Sequence, residues 1–430
     1  MRIREIPRRR LRIRRPTNWI HTSLFFLAVI YFLGLCLFAI SYIWLPQFRT
    51  ILWRYPNQIR YPDIIFPKIF RSAAGLDPHQ VPDSDIIAPE IFRYAEGFER
   101  NYEEMERKLK VYVYSEDDEY PDFYFYPPRL LFGRYSSESF FFKNIKETRL
   151  RTLNFDEANL FFIPISCLKM VERAFSVTRM ATIIENYIQR LIFNYPFWNR
   201  TSGADHFFVA CHEKCVRASK EVSLLMDNPI RVLCSPYEDA GYIPAKDVSL
   251  PQVMEPFHCE DGRNHDSENR TIFGIWGGPI NSYMRQKMKE LLVLGMDPEI
   301  DLEPIPDRED FARSKYCICH GITLIGTCIA DSIYCGCVPV IFSSYSELPF
   351  NDVLDWDKFS VVILNEHEVY AMKERLVLLT DTQYISLQEG TDKVQKHFQW
   401  NSPPKRYDAF HMVMYDIWLR VMSKLGVARM

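Results

Sequence analysis

The stretch SKYCICHGITLIGTCIADSIYCGCVPVI, residues 314–341, decides the fold class, because it reads as a strand, a glycine turn, a helix and a second strand. It also contains the densest run of cysteines in the chain: Cys317, Cys319, Cys328, Cys335 and Cys337. Cys317 and Cys319 are two residues apart, so on a strand their side chains point to the same face of the sheet. Structural zinc sites are instead built from Cys-x-x-Cys-type pairs. The pattern therefore favours buried strand residues, one of them paired with a distant cysteine, over a zinc site.

The same alternation extends along most of the chain on both sides of this stretch. Further apolar strands are predicted at residues 109–114, 159–166, 206–211, 230–234, 271–276 and 359–364. Helical spacing of apolar residues marks 170–193, 282–294 and 407–425. Strands that alternate with helices predict parallel α/β sheets. The polar run at 258–269 interrupts the alternation and predicts a linker between two α/β halves that face each other across a cleft.

The N-terminal residues predict a membrane anchor. Eight arginines crowd residues 2–15, opposed only by Glu5, and residues 19–45 then run without an Asp, Glu, Lys or Arg. A helix needs about 20 apolar residues to cross a bilayer, and no small-residue cleavage site typical of a signal peptide follows. The arginines are expected to stay cytosolic, so we predict a single-pass type II protein. Ten of the eleven cysteines then lie in an oxidising lumen, where Asn199 and Asn269 are candidate N-glycosylation sites.

Composition limits the classes of partner. A net charge of −3 and a pI of about 6.4 argue against a general nucleic-acid binder. Aromatic residues make up 15% of the chain, as in proteins that stack rings on sugars or bury wide sheets. The Pro- and aromatic-rich segment after the anchor lacks periodicity and is typical of an extended stem.

Two glycine turns and one acidic residue are candidates for a nucleotide site. Gly277 and Gly278 follow a predicted strand and precede a predicted helix, where small residues let the backbone approach phosphates. Gly321 stands at the corresponding turn of the opening stretch, and Asp331 is the acidic residue of its helix that could hold ribose hydroxyls. Each signal is weak alone, since a Gly-Gly pair between a strand and a helix is often only a turn.

Several longer motifs carry a resemblance to a known family. They are NFDEANLFFIPIS (154–166), FWNRTSGADHFFVACH (197–212), AKDVSLP (245–251), SKYCICHG (314–321), IADSIYCGCVPVIFSS (329–344), LPFNDVLDWDKFSV (348–361) and NSPPKRYDAFHMVMYDIWLR (401–420). Together and in this order they resemble the plant exostosin-like glycosyltransferases. The resemblance implies a type II Golgi protein with a GT-B catalytic unit, which consists of two Rossmann-like domains facing a cleft. It also implies inverting transfer from a nucleotide sugar, in our reading UDP-linked, to a cell-wall polysaccharide, pectin or hemicellulose.

With that architecture the chain divides into seven segments. They are a cytosolic basic tail (1–18), a signal anchor (19–45), a stem (46–105), an N-terminal acceptor domain (106–257), a linker (258–270), a C-terminal nucleotide-sugar domain (271–400) and a C-terminal helix that packs back on the N-terminal domain (401–430). The expected partners are the nucleotide sugar, the polysaccharide and the membrane, without nucleic acid. Assembly into homo- or hetero-oligomers is left open.

Inverting transfer needs a base for the attacking hydroxyl and positive charge near the leaving diphosphate. Asp205 or His206 is the candidate base or acceptor-orienting residue, although Asp205 could equally cap a turn and His206 bond to the backbone. Lys246 is the candidate for the diphosphate, with a solvated loop lysine as the alternative. GT-B enzymes generally need no bound metal, so we expect none, and we interpret Asp355-Trp-Asp357 as a loop rather than a manganese motif.

Two departures from the family pattern concern the donor site. Cys328 stands where the family has Arg, and Asp331 where it has Glu. Arginine is a permanently charged, bidentate phosphate partner, which cysteine cannot replace. Another basic side chain, such as Lys246, Arg285 or Arg313, would have to fill its place. The alternative function is therefore a catalytically impaired member that acts as a scaffold in a polysaccharide synthase complex.

Overall fold

The computed structural model describes residues 86–114, 131–133, 135–234, 241–253, 270–276, 300–301, 308–319, 325–342, 347–363 and 372–425. The chain divides into two compact units, Met1–Asp83 and Ser84–Met430, and all described residues belong to the second. Within these ranges no helix has both the length and the apolar character that a membrane crossing requires. The predicted anchor at 19–45 lies outside the described residues.

Six parallel strands form the first sheet. They are β1 (Val111–Val113), β2 (Arg151–Thr152), β3 (Leu160–Phe162), β4 (His206–Ala210), β5 (Ile230–Cys234) and β6 (Val248–Leu250). Their order is β2-β1-β3-β4-β5-β6, and every neighbouring pair is parallel. The two central strands, β3 and β4, are buried along their whole length, which explains their almost continuous apolar sequence, because a parallel sheet is covered on both faces.

A second sheet of five parallel strands follows. It contains β7 (Ile272–Trp276), β8 (Ile300–Asp301), β9 (Ser314–Cys319), β10 (Val338–Phe342) and β11 (Val361–Ile363), in the order β11-β10-β9-β7-β8. All four pairs are parallel. The prediction of parallel α/β sheets is confirmed, and the cysteine-rich residues from Ser314 onward form β9, β10 and the helix between them.

Twelve α-helices connect or cover these strands in the part of the chain that the structure describes. They are α1 (Ala95–Lys108), α2 (Ser136–Glu147), α3 (Leu168–Glu172), α4 (Val177–Asn194), α5 (Phe197–Thr201), α6 (Glu213–Lys220), α7 (Ser223–Asp227), α8 (Arg308–Arg313), α9 (Ile325–Tyr334), α10 (Met372–Val377), α11 (Asp381–Phe398) and α12 (Ala409–Leu425). Short 3-10 helices occur at Pro89–Ile91 and Trp356–Lys358.

One predicted helix is two helices in the structure. The periodicity of 170–193 indicates one continuous helix, but α3 ends at Glu172 and α4 begins at Val177. Between them Ala174 has a positive φ of 56°, which no helix accommodates. The hydroxyl of Ser176 accepts a hydrogen bond from Arg179 N and caps the new helix.

Both sheets share a strand order that directs ligands to a defined edge. In each, the chain leaves the first strand for one side (β2, β8) and then crosses to the other side (β3, β9). Open α/β sheets bind ligands beyond the carboxyl ends of their strands, at the point where the strand order reverses. The two candidate ligand crevices therefore lie at the carboxyl ends of β1 and β3 and of β7 and β9.

The folded unit begins earlier than the sequence suggested. The predicted stem extended to residue 105, whereas Ile91 and Tyr102 are fully buried and Phe98 is almost so. Phe98, Tyr102 and Met105 follow the i, i+4, i+7 spacing of an amphipathic helix, which is α1. A β-bridge joins Phe92 to Leu354 of the second half. Residues 86–105 are thus part of the fold.

The C-terminal helix lies against the first half of the chain. Helix α12 contacts α1, α2 and β6, and the indole of Trp400 donates a hydrogen bond to Pro251 O at 3.1 Å. Arg406 forms an ion pair with Glu106 at 3.2 Å and lies over the Tyr407 ring. These contacts pack the C-terminal segment against the elements of the first sheet.

Candidate functional site

The thiol-rich stretch is a disulfide framework. Every cysteine among the described residues is disulfide-bonded. The assigned pairs are Cys167–Cys215, Cys211–Cys234, Cys317–Cys337 and Cys319–Cys328. Both Cys317 and Cys319 are paired, whereas the sequence predicted a disulfide for one of them. Disulfide sulfurs are not available as thiolate ligands. Nor do any three His, Cys, Asp or Glu side chains within the described ranges group as metal ligands.

The predicted nucleotide-binding glycines follow the two strands at the second crevice. β7 ends at Trp276, directly before Gly277 and Gly278, and β9 ends at Cys319, two residues before Gly321. These three glycines lie outside the described residues, as does Asn269. Their roles remain predictions. The strands that precede them end at the carboxyl edge, where open α/β sheets bind their ligands.

Cys328, at the family's arginine position, forms a structural disulfide. It lies on α9 with 1% of its surface exposed and forms the disulfide to Cys319 at the carboxyl end of β9. The helix after β9 is thus covalently fixed to the strand before it. Asp331, three residues further along the same helix, is partly exposed.

Two of the three basic residues considered as replacements for the missing arginine lie elsewhere. Arg313 ends α8 just before β9 begins, at the amino end of the second sheet, and pairs with Asp310 at 2.6 Å. Lys246 precedes β6 in the first half. Arg285 lies outside the described residues. Arg313 therefore does not approach the carboxyl edge of β9, and Lys246 is held by Pro229 O and Asp247 of the first half.

Lys246 is a buried structural lysine, which corrects its assignment to the diphosphate. Its ammonium donates to Pro229 O at 2.8 Å and to Asp247 Oδ1 at 2.6 Å. Asp247 also pairs with the fully buried Arg231. Burial lowers the pKa of Lys246, and the attraction of Asp247 opposes that effect. A cation enclosed and paired in this way does not meet a ligand across a cleft.

Asp205 and His206 form a buried network, and a role as base does not fit their position. His206 is the first residue of β4 and lies at the amino end of that strand, away from the carboxyl edge. Both residues are at most 1% exposed. Nδ1 of His206 lies 2.7 Å from Asp205 Oδ1, and its Nε2 lies 2.8 Å from the Tyr114 hydroxyl. A base must reach the substrate proton, so the geometry favours the structural reading.

The surroundings of Asp205 explain why a carboxylate is tolerated there. Thr201 donates to it at 2.6 Å and Arg200 at 2.9 Å. Burial raises the pKa of Asp205, but the hydrogen bond from His206 and those from Thr201 and Arg200 outweigh it and lower the pKa overall. Burial lowers the pKa of His206, which keeps the ring neutral near pH 7.

A carboxyl group that the sequence reading missed lies at the carboxyl edge of the central strands. Glu138 belongs to the first turn of α2. Its Oε1 accepts a hydrogen bond from the Ser166 hydroxyl at 2.8 Å, and its Oε2 accepts one from Cys211 N at 3.0 Å. Ser166 follows β3, and Cys211 follows β4. Glu138 therefore joins the ends of both central strands, beside the crevice between β1 and β3.

Glu138 titrates far from an ordinary glutamate. It is 4% exposed, and burial raises its pKa to about 7, although the bonds from Cys211 and Ser166 work in the opposite direction. A buried carboxyl group with a pKa near neutrality can release and take up a proton at working pH, which is the property of a catalytic acid or base. The sequence signal was a single acidic residue, separated by Ser139 from a run of three phenylalanines.

An imidazole and a phenol ring stack at the same edge. The ring of His212, directly after Cys211, lies 4.9 Å from that of Tyr135 in stacked orientation. Nδ1 of His212 accepts a hydrogen bond from Lys214 N and caps α6. In this tautomer a neutral His212 carries its proton on Nε2. We call Tyr135, Glu138, Ser166, Cys211 and His212 the acceptor-edge cluster.

Asn199, one of the two predicted glycosylation sites, is exposed on α5. It lies between the buried Trp198 and the exposed Arg200. The neighbouring Gly203, with φ of 83°, turns the chain from α5 into β4, and a Cβ there would come within 2.8 Å of the Trp198 ring. Asp355 and Asp357 flank the buried Trp356 at a 3-10 turn, consistent with a loop.

A family model and several known protein sequences match this chain. Residues 105–376 match the model of the Exostosin GT47 domain. "Probable glycosyltransferase At5g03795" of Arabidopsis thaliana is 34% identical over 342 residues, which cover 76% of this chain and 64% of that protein. "Probable beta-1,4-xylosyltransferase IRX10" of the same plant is 24% identical over 334 residues, covering 71% and 81%. The match thus spans just under two thirds of the first relative's length.

Among solved structures, a glycosyltransferase from Rickettsia africae ESF-5 aligns with a TM-score of 0.32 and 10% identity, covering 74% of this chain and 99% of that chain. A TM-score of this size does not establish a shared fold. The parallel strand order of the two sheets is therefore taken from this structure alone.

Proposed function

This chain belongs to the exostosin GT47 family of glycosyltransferases, and from that premise we propose that it transfers a sugar, with inversion, from a UDP-linked donor to a cell-wall polysaccharide such as pectin or hemicellulose. The observation that carries the proposal is the extent of the family match. It runs from α1 through both parallel sheets to α10, so it includes both edges at which α/β sheets bind ligands.

In this proposal each of the two crevices binds one of the two substrates. The edge of β7 and β9, with Gly277, Gly278, Gly321 and Asp331, holds the nucleotide sugar. The acceptor-edge cluster holds the sugar that receives the transfer, in a GT-B arrangement of two Rossmann-like domains. The glycines let the backbone approach the diphosphate. No metal is required, because hydrogen-bond donors and helix N-termini can stabilise the departing diphosphate.

The disulfide framework supports a lumenal location for this unit. Disulfides persist in oxidising compartments and are rare in the cytosol, and this unit contains at least four. We therefore propose a Golgi protein of type II orientation, anchored by residues 19–45, with glycans on the exposed Asn199 and on Asn269. Oligomeric assembly with other synthase subunits is compatible with this arrangement.

One observation favours a second function. Cys328 occupies the arginine position of the family and is buried in a disulfide, so it provides no charge for a diphosphate. A member that binds its donor too weakly for turnover could still serve as a scaffold in a polysaccharide synthase complex. Binding and transfer assays on the same protein preparation distinguish the two functions.

The test uses the full chain, produced in a secretory host and solubilised in detergent. UDP-glucose, UDP-galactose, UDP-xylose and UDP-glucuronic acid are each titrated by calorimetry and assayed for transfer to pectin and xylan oligosaccharides. Saturable binding of one donor with transfer supports the enzyme. Absence of binding at millimolar concentrations of every donor contradicts it and favours the scaffold.

A further inference from the structure

Glu138 is unusual because no described side chain compensates its negative charge with a positive one. Among the described residues, the effects on its pKa are burial and the two hydrogen bonds from Cys211 N and Ser166, and no charged side chain contributes. Helix α2 packs on β2, β4 and α12. The titratable side chains of those elements are Arg151, His206, His411, Tyr415, Asp416, Arg420 and Lys424. Buried carboxylates are normally paired with a cation, so this one departs from the rule.

A purely structural role does not explain the choice of a carboxylic acid. A glutamine has the same shape, and its amide could accept from Cys211 N and donate to the Ser166 oxygen without any charge. The glutamate makes the same two contacts at the expense of stability. Destabilising groups of this kind are retained where activity needs them.

Glu138 lies at the edge where open α/β sheets bind their ligands. Its carboxyl connects the loops that leave the two central strands, next to the strand-order reversal between β1 and β3. A carboxylate has about four lone-pair positions, and the two hydrogen bonds use one on each oxygen. Neither oxygen accepts a second hydrogen bond from a described residue.

We propose that Glu138 is the general base of the transfer, resting on the function proposed above. Its carboxylate takes the proton of the attacking hydroxyl as the O–H bond of the acceptor breaks. The electron pair of that bond forms the new bond from oxygen to the anomeric carbon. The bond from the anomeric carbon to the phosphate oxygen breaks in the same displacement, and the nucleoside diphosphate leaves with its electron pair. The proton remains on Glu138, so atoms and charge balance.

The test compares Glu138→Gln with the wild type and with Glu147→Gln, which removes an exposed carboxylate at the other end of the same helix. General bases contribute on the order of 10²- to 10⁴-fold to rate. Glu138→Gln is expected to lower kcat by at least about 100-fold and to leave the Kd for UDP within about threefold, because UDP binds the other sheet. Glu147→Gln should change neither.

The pH profile of the reaction provides a second measurement. The wild-type kcat/KM should fall on the acidic side with a midpoint near pH 7, and the residual activity of Glu138→Gln should lack that limb. Transfer by Glu138→Gln within threefold of wild type, or a wild type without the acidic limb, overturns the base assignment and leaves the proposed function intact. A wild type that neither binds UDP nor transfers sugar overturns both.

Discussion

Replacing Glu138 by glutamine should stabilise the protein above neutral pH. Burial raises the pKa of Glu138 from 4.5 to about 7, and each pKa step corresponds to about 1.4 kcal/mol. Ionising this carboxyl therefore costs the folded state roughly 3 kcal/mol relative to the unfolded chain. Below pH 4.5 the group is protonated in both states and this cost is absent. Between pH 4.5 and 7 the unfolded chain releases its proton first, so wild-type stability falls as pH rises.

Glutamine does not titrate, so the difference between Glu138→Gln and wild type should grow over the same interval and then stay constant. Thermal unfolding of both proteins at pH 5 and pH 8 measures it. We expect little difference in Tm at pH 5 and a variant that melts higher by about 5 °C at pH 8, given the size of the folded unit. Glu147→Gln is the matched control, with an expected effect within about 0.5 kcal/mol at both pH values. A Glu138→Gln difference that does not change with pH would refute the reasoning.

Three further predictions concern the buried network, the disulfides and metal. Asp205→Ala should cost about 3–5 kcal/mol of stability, because it leaves Arg200, Thr201 and His206 without their shared partner; a variant that melts like wild type but has lost transfer would restore Asp205 as a catalytic candidate. Replacing Cys319 and Cys328 together by serine opens a loop of 9 residues in sequence and should lower the free energy of unfolding by about 2–3 kcal/mol, measured in urea; an unchanged midpoint would show that the disulfide is not stabilising. Transfer should persist after dialysis against EDTA, and a loss reversed by Mn²⁺ would contradict the metal-free mechanism.

The family and the sheets could be predicted because their signals are local. The motifs around NLFFIPIS and YCICH are apolar strands next to turns, and the structure confirms both as central parallel strands. The resemblance to exostosin-like glycosyltransferases is confirmed by the match over residues 105–376. Such patterns depend on residues close in sequence, so periodicity and motif order are sufficient to detect them.

The acceptor edge could not be predicted because it depends on contacts far apart in sequence. Glu138 meets Cys211 across 73 residues, and its helix reads poorly as a helix, since three phenylalanines follow the acidic residue. The pair Asp205-His206 looked catalytic because an acid next to an imidazole is typical of active sites. The predicted strand at 206–211 begins with His206, but the burial of the pair and the contact of His206 with Tyr114 depend on residues far apart in sequence. Lys246 similarly looked like a loop cation, and burial beside Asp247 reveals its structural role.

Inversion of configuration is the central claim, and proton NMR of the transfer product tests it most directly. The full chain is incubated with its donor and an oligosaccharide acceptor, and the coupling of the new anomeric proton is read before the product can equilibrate. A new linkage with anomeric configuration opposite to that of the donor is the predicted result. A product that keeps the configuration of the donor would contradict direct displacement, and with it the need for a base at the acceptor edge.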